Sequence, residues 1–310
     1  MRVLVLHTLA PDWPIPGRCA SEFDLRAPAR AIADVLPCAE VAGIRGEPGE
    51  VLDVLDTHQP DVVFNLCEAP MARPELEAHA AALLEWQGVP FTGSSSTTLA
   101  LCRRKDLANA LLRSAGIAVP GPGSLPCIVK PVDQDGSAGI DHDSVCHDAI
   151  ALERARSRLM GPVLVEEYLP GTEYAVSLWG GCEPEHIAVA ECVFADRMRI
   201  VTYAAKWDLR SEDHDSYSLE YRATMGDSGT AIEETARSAW RVLGIRGYAR
   251  VDIRLDRAGL PHVIDVNPNP EISPGTGIHR AVIEGGWTWD RFVQQQLMWA
   301  LDAAHTAVTS

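Results

Sequence analysis

The chain has 310 residues, 46% hydrophobic and 23% charged, with a formal net charge of −16 at pH 7. That length holds two or three subdomains around a sizeable core. The negative charge argues against non-specific nucleic acid or an anionic membrane as a partner, and the few lysines (Lys105, Lys130, Lys206) become informative wherever a polyanion must be held.

In chain order, residues 2–6 (RVLVL) read as a parallel-type strand, followed by a loop with Pro11, Pro14 and Pro16 and a helical pattern over 21–36. The apolar run at 3–6 is too short for a signal-peptide core and nothing approaches a membrane span, so the expected compartment is the cytoplasm. A second buried strand is expected at 61–66, then a helix over 75–87 closed by Gly88, then a short strand and turn at 89–93. Strand alternating with helix argues a βαβ layer with a parallel sheet. No GxGxxG follows the first strand, so a dinucleotide fingerprint is absent.

Ser96 or Thr97 is placed to cap a helix through Leu101, and a second helix over 105–115 is closed by Gly116. Residues 127–130 (CIVK) form a strand running into the loop DQDGSAGI. Residues 148–158 are helical, 163–166 begin another strand, and 173–178 continue the sheet after a Pro170-Gly171 turn. Strands are expected at 186–194 and 199–203, a long polar loop over 208–228, and an amphipathic helix over 231–243 closed by Gly244. After a hairpin and a loop, a last helix spans 289–304. Eight cysteines without a CxxC pair read as reduced thiols, and ten histidines show no HExxH.

The hairpin carries the densest chemistry. Two β-rich runs, 248–255 and 262–266, flank the turn Asp256-Arg257-Ala258-Gly259. Alternation puts Arg250 and Asp252 on one face and Val251, Ile253 and Leu255 on the other, with Val263, Asp265 and Asn267 sharing a face of the second run. A turn centred between Arg257 and Ala258 sets Arg250 across from Asp265, with Asp252 diagonal. Such oxygen ligands suit Mg²⁺ supplemented by phosphates; the competing reading is a surface hairpin whose charges pair across strands. Lys130 precedes a loop whose Gly136 and Gly139 let backbone N–H groups close on phosphates, although many such loops are only turns. Glu166, Glu167 and Leu169, with Glu173 beyond them, form either a base- and ribose-reading segment or an acidic strand end. Lys206, after a strand, is either a site cation or a solvated charge.

Together and in order, Thr92-Gly93-Ser94, Lys105, IVKPVDQDGSAGI (128–140), VLVEEYLPGTEY (163–174), YAAKWD (203–208) and GYARVDIRLD…HVIDVNPNP resemble the ATP-grasp superfamily, in its D-alanine–D-alanine ligase-like branch. The resemblance implies an α/β and α+β architecture: an N-terminal parallel-sheet domain (1–97) and two ATP-grasping α+β subdomains (98–180 and 181–310). It implies ATP contacts from Lys105, Lys130, Gly136, Ser137, Glu166, Glu167, Leu169, Glu173 and Lys206. It further implies Mg²⁺, usually two ions, on Asp252, Asp265 and Asn267, and catalytic roles for Arg250, Lys206 and Ser137. Asp265 stands where the family usually has Glu. The implied reaction is ATP-dependent carboxylate–amine ligation through an acyl phosphate, with small-molecule acid and amine partners and neither nucleic acid nor membrane.

The N-terminal part departs from true D-alanine–D-alanine ligases. Their GGxSxExxxS-type stretch is replaced by HTLAPDWPIPGRCASEF, in which Glu22 is a displaced candidate, and NLCEA (65–69) replaces a His-Gly-rich run. The expected substrate is therefore not the cell-wall dipeptide. Glu68, Glu75, Glu77 and Ser137 are candidate substrate contacts. Two alternatives stay open, an intramolecular cyclase of the D-cycloserine-forming, antibiotic-biosynthetic kind and a non-catalytic nucleotide-binding protein. The helix at 289–304 and Leu83, Leu84 and Trp86 offer apolar stripes that could support a homodimer.

Overall fold

The computed structural model describes residues 1–13, 15, 23–195, 200–221 and 226–309. Strand β1 (Val3–Thr8) is buried along its whole length, as a run of apolar residues requires when both sheet faces are covered. After helix α1 (Arg26–Ala33) come β2 (Glu40–Ile44), α2 (Pro48–His58) and β3 (Val62–Leu66), and the three strands form a parallel sheet in the order β2-β1-β3. Helix α2 starts on a capping box between Glu47 and Glu50 with Pro48 in its first turn, and stops at left-handed Gln59. Helix α3 (Glu77–Trp86) returns over the sheet, and Phe91 bridges in parallel to Val63.

Helices α4 (Ser96–Arg103) and α5 (Lys105–Ser114) lead into a small antiparallel sheet. Its strands are β4 (Cys127–Pro131), β5 (Val145–Cys146) and, beyond α6 (Ala149–Arg158), β6 (Val163–Glu167), in the order β5-β4-β6. The remaining elements are β7 (Glu173–Gly180), β8 (His186–Phe194), α7 (Tyr203–Trp207), β9 (Tyr217–Tyr221), α8 (Gly226–Leu243), β10 (Gly247–Leu255), β11 (Pro261–Asn267), α9 (Gly277–Glu284) and α10 (Trp289–Thr309). Their strands form one antiparallel sheet in the order β11-β10-β7-β8-β9. Strand β7, within the span expected for the central subdomain, thus sits in the middle of this larger sheet.

The five-stranded sheet positions the chemistry because its two faces differ. Val176, Leu178, Ala249, Val251 and Ile253 point to one side and bury against Ile232, Ala236, Ala239 and Trp240 of α8, which recur at helical spacing. On the other side, Arg250 pairs with Ser177 and Asp252 with Ala175 across β7. These positions face open space, while Trp179 and Tyr248 at the far end of the same face pack on Phe292 of α10.

Several expectations are corrected. The 199–203 strand is not formed at 200–202 (Arg199 lies outside the described residues). Thr202 instead caps α7, its hydroxyl accepting from the Ala205 N–H at 3.1 Å, so Lys206 rides on a helix. The expected 208–228 loop contains β9, held by β8, and the first turn of α8. Ser95, not Ser96 or Thr97, caps α4. The hairpin register is also different. Asp252 lies directly opposite Asp265 and Arg250 opposite Asn267, whereas Ile253 pairs with Val263. Ile264 is therefore an extra residue, a bulge that turns Val263 into the core while Asp265 stays on the polar face. Strand β2 and helices α2 and α9 lie in stretches where the sequence pattern predicts no element. Ser21 and Glu22, in the expected first helix, lie outside the described residues.

Candidate active site

A cleft of about 1140 Å³, measured out to its mouth, opens between the small sheet and the polar face of the five-stranded sheet. Ile128 and Lys130 of β4 and Glu166 of β6 line one side; Ala175, Ser177, Cys192, Arg250 and Asp252 line the other. Small side chains on β7 and β8 form the floor, which leaves room for a flat ligand between the sheets. Of the residues singled out from the sequence, Lys105, Lys130, Ser137, Glu166, Glu167, Leu169, Glu173, Lys206, Arg250, Asp252 and Asp265 line this cleft. Gly136 and Asn267 line a second, larger cavity of about 1830 Å³. The two cavities share Lys206, Tyr217, Leu219, Arg250 and Gly277. Lys206 and Arg250 thus stand where they meet.

The buried cations are held by charge. Lys105 begins α5, and its Nζ lies 2.8 Å from Asp265 Oδ1 and 3.2 Å from Asp135 Oδ1. Lys130 Nζ lies 2.6 Å from Glu166 Oε2 and donates to the carbonyl of the bulged Ile264 at 2.8 Å. Asn109, one turn along α5 from Lys105, donates to the other Glu166 oxygen at 2.6 Å. Burial alone would raise the Asp265 carboxyl, but Lys105 and Lys130 hold it down to about 2. Lys206 lies on the opposite wall, where burial and then the Arg250 guanidinium lower its ammonium below the usual lysine range.

Arg250 grips Asp252 with two bonds, Nε to Oδ1 at 2.7 Å and Nη2 to Oδ2 at 3.0 Å. At the far end, Arg254 Nη1 meets Glu173 Oε2 at 3.0 Å, Nη2 reaches the Tyr168 hydroxyl at 3.1 Å, and the guanidinium carbon lies 4.9 Å from the Tyr168 ring centroid. Burial outweighs this pairing and leaves the Glu173 carboxyl above its ordinary range.

Asp252 and Asp265, facing each other across the bulged hairpin, are hard oxygen donors beside Asn267. Among the described residues no group of three or more His, Cys, Asp and Glu side chains is arranged to hold a metal. Two carboxylates and a carboxamide are oxygen donors of the kind that take Mg²⁺ together with phosphate oxygens, and here Arg250 engages Asp252 while Lys105 engages Asp265.

The loop between β4 and β5 closes one side. Gly136, Ser137 and Gly139 all have left-handed backbones, at φ 65°, 61° and 75°. A non-glycine residue such as Ser137 adopts that region at a cost. The Trp207 indole N–H donates to the Gly136 carbonyl at 3.0 Å, and the Tyr203 N–H to the Ile140 carbonyl, so the loop is docked on α7. Asp135, in the same loop, bonds Lys105 and also Arg103, 2.9 Å away. Arg103 in turn meets Glu77 at 3.0 Å, and Asn269 donates to Glu77 at 2.6 Å.

Asn109, Arg103, Asp135, Tyr168, Arg254 and Asn269 were not singled out from the sequence. Asn109 lies four residues after Lys105 and Arg254 continues the Arg250, Asp252 alternation, so both had a periodic signal. Of the candidate substrate contacts, Glu68 and Glu77 line the second cavity; Glu75 is exposed and pairs with Arg73. Glu22 lies outside the described residues.

Comparison with known proteins adds four findings. A family model described as "D-ala D-ala ligase C-terminus" matches residues 113–298. The chain is 28% identical over 261 residues to an uncharacterized protein of Sinorhizobium fredii, y4sG, covering 79% of this chain and 74% of that protein. It is 28% identical over 244 residues to a D-alanine–D-alanine ligase of Synechococcus sp., covering 72% of each. Among solved structures, the D-alanine–D-alanine ligase of Bacillus anthracis complexed with ATP superposes with a TM-score of 0.74 over 99% of both chains at 17% identity.

Proposed function

This chain belongs to the D-ala D-ala ligase C-terminus family, has the ATP-grasp fold, and is an ATP-dependent ligase of that type; from that premise we propose that it joins a small carboxylic acid to an amine through an acyl phosphate. The carrying observation is the meeting of two cavities at Lys206 and Arg250, one lined by buried lysines and carboxylates and the other by polar groups of the N-terminal part. ATP would lie in the cleft, its base beside Glu166, Glu167 and Leu169, its ribose beside Glu173, and its phosphates under Gly136 and Ser137 against Lys105, Lys130 and Lys206. Mg²⁺ on Asp252, Asp265 and Asn267 would neutralise charge on the phosphate oxygens.

The acid's carboxylate oxygen attacks the γ-phosphorus, the bond to the β-phosphate oxygen breaks, and ADP leaves. The lysines offset charge gathering on the transferred group. An amine then attacks the acyl carbon, Arg250 stabilises the tetrahedral oxyanion, the acyl C–O bond breaks with its electron pair leaving on phosphate, and the nitrogen gives up a proton to that phosphate or to solvent. The loop docked on α7 keeps water from that intermediate. The acid is not the one used for cell-wall dipeptide synthesis, a reading supported by the Glu68-bearing segment after β3 and by the replaced N-terminal stretch.

The test is Mg-ATP turnover against amino acids and small carboxylic acids, singly and in pairs, with mass analysis. ADP release that needs two compounds, with a product lighter than their sum by one water, is the expected result. One compound that itself loses water would replace ligation by cyclisation. Tight ATP binding without ADP release from any combination would remove the enzymatic reading.

A further inference from the structure

Arg254 continues the alternation that sets Arg250 and Asp252 on the cleft face of β10, and it lines the cleft with them. It pairs directly with Glu173 across β10 and β7. An arginine is seldom this deeply buried unless it is paired. Arg254 is 6% exposed and engages three partners, all on or just past the turn that joins β6 to β7. Nη1 donates to Glu173 Oε2 at 3.0 Å, Nη2 to the Tyr168 hydroxyl at 3.1 Å and Nε to the Gly171 carbonyl at 3.2 Å. The Tyr168 ring centroid lies 4.9 Å from the guanidinium carbon. The turn itself is pressed onto β10. The Gly171 N–H donates to the Leu255 carbonyl at 3.0 Å, and a Cβ at Gly171 would come within 2.4 Å of that oxygen.

Glu173 is nearly as buried as its partner, and burial favours its neutral form. Arg254 is the strongest influence opposing this, ahead of Lys206 and Arg250, while Asp252 adds to the effect of burial. An ionised carboxylate has about four lone-pair sites. Glu173 can therefore accept from Arg254 and still accept from a pair of ligand hydroxyls. We propose that Arg254 is a positioning residue for the nucleotide: it fixes the Glu173 carboxylate where that group accepts from the ribose hydroxyls, and so makes the cleft select ribonucleotides over deoxyribonucleotides. The inference rests on the reading that ATP lies in the cleft with its ribose beside Glu173, and adds to it a residue and a selectivity. Arg254 acts here through Glu173 and not on the nucleotide directly. The same guanidinium also holds Tyr168, but a packed ring does not distinguish ribose from deoxyribose, so sugar selectivity isolates the Glu173 arm.

The experiment measures the Kd of Mg-ATP, Mg-2′-deoxy-ATP and Mg-3′-deoxy-ATP by calorimetry, with no acid or amine present. The proteins are the wild type, Arg254→Met and Arg254→Lys. The wild type should bind ATP about ten- to hundredfold more tightly than the deoxynucleotides, the range for losing a charged hydrogen bond. Arg254→Met should weaken ATP and compress that ratio to within about threefold, because Glu173 then lacks the charge that holds it as an acceptor. Arg254→Lys keeps the charge without the planar fork and should recover part of the ratio. A merely structural role would weaken all three nucleotides alike in Arg254→Met, and an unchanged ratio there overturns the inference. So does a wild type that binds the deoxynucleotides as tightly as ATP, a result that needs no variant to fold. Turnover is not needed for any of these readings. Failure of every acid to release ADP would sink the ligase reading and leave this inference standing, whereas no binding of any nucleotide would overturn both.

Discussion

At the scale of single residues, the site is governed by which charge each group faces. Arg250 is fixed by two bonds to Asp252, so its guanidinium is oriented before any ligand arrives. Arg250→Ala should lower kcat about a hundred- to a thousandfold, the usual loss when an oxyanion partner is removed. The KM for ATP, read from steady-state ADP release, should change only a few-fold; a collapse of ATP affinity would mean that Arg250 serves the nucleotide instead. Glu77 behaves differently. Burial pushes its carboxyl up to about 7 from an ordinary 4.5, against the pull of Arg103 and Asn269. The fold therefore favours the neutral acid. That contribution is full below about pH 4.5 and is lost as pH rises toward 7, on the order of 3 kcal/mol. Glu77→Gln should flatten the slope of stability between those pH values in urea titrations. An unchanged slope would remove Glu77 as its source.

At the scale of elements, α8 carries the five-stranded sheet, and Trp240 is its anchor, fully buried with its indole N–H on the Cys182 carbonyl at 3.2 Å. Trp240→Ala leaves a large void and should cost about 3–5 kcal/mol in urea unfolding. A loss under about 1 kcal/mol would show that the sheet is held elsewhere. Long elements with clear periodicity, such as β1, α5, α8 and β10, were legible because hydrophobic spacing and closing glycines point the same way. The 200–207 segment was not. Ile200 and Val201 read as strand, but they line the cleft instead of joining a sheet, and Thr202 starts a helix. Nor was the bulge at Ile264 legible, since which residue a hairpin leaves unpaired depends on partners beyond it. Here those partners include Lys130, bonded to its carbonyl.

At the scale of the whole molecule, the candidate site exists only where three sheets meet, and the link between its loop and α7 is testable. Trp207 ties α7 to the Gly136 loop through one hydrogen bond. Trp207→Phe keeps an aromatic ring but removes that donor, so the loop should close less often over the reacting groups. The expected outcome is leakage, with ADP released per amide formed rising about two-fold or more above one while the KM for ATP changes little, measured by parallel ADP and product assays. A ratio still at one would mean that closure does not depend on Trp207.

The sequence by itself determined the fold class, the family resemblance and the alternation that sets Arg250 and Asp252 on one face, because these depend on local spacing along the chain. Tertiary structure alone decided that Asp252 faces Asp265, that Asp135 lies between Lys105 and Arg103, and that Lys206 and Arg250 stand where the two cavities meet. Those are relations between residues tens to hundreds of positions apart. Electrostatic interaction depends on distance and burial in space, and neither can be read until the chain has folded.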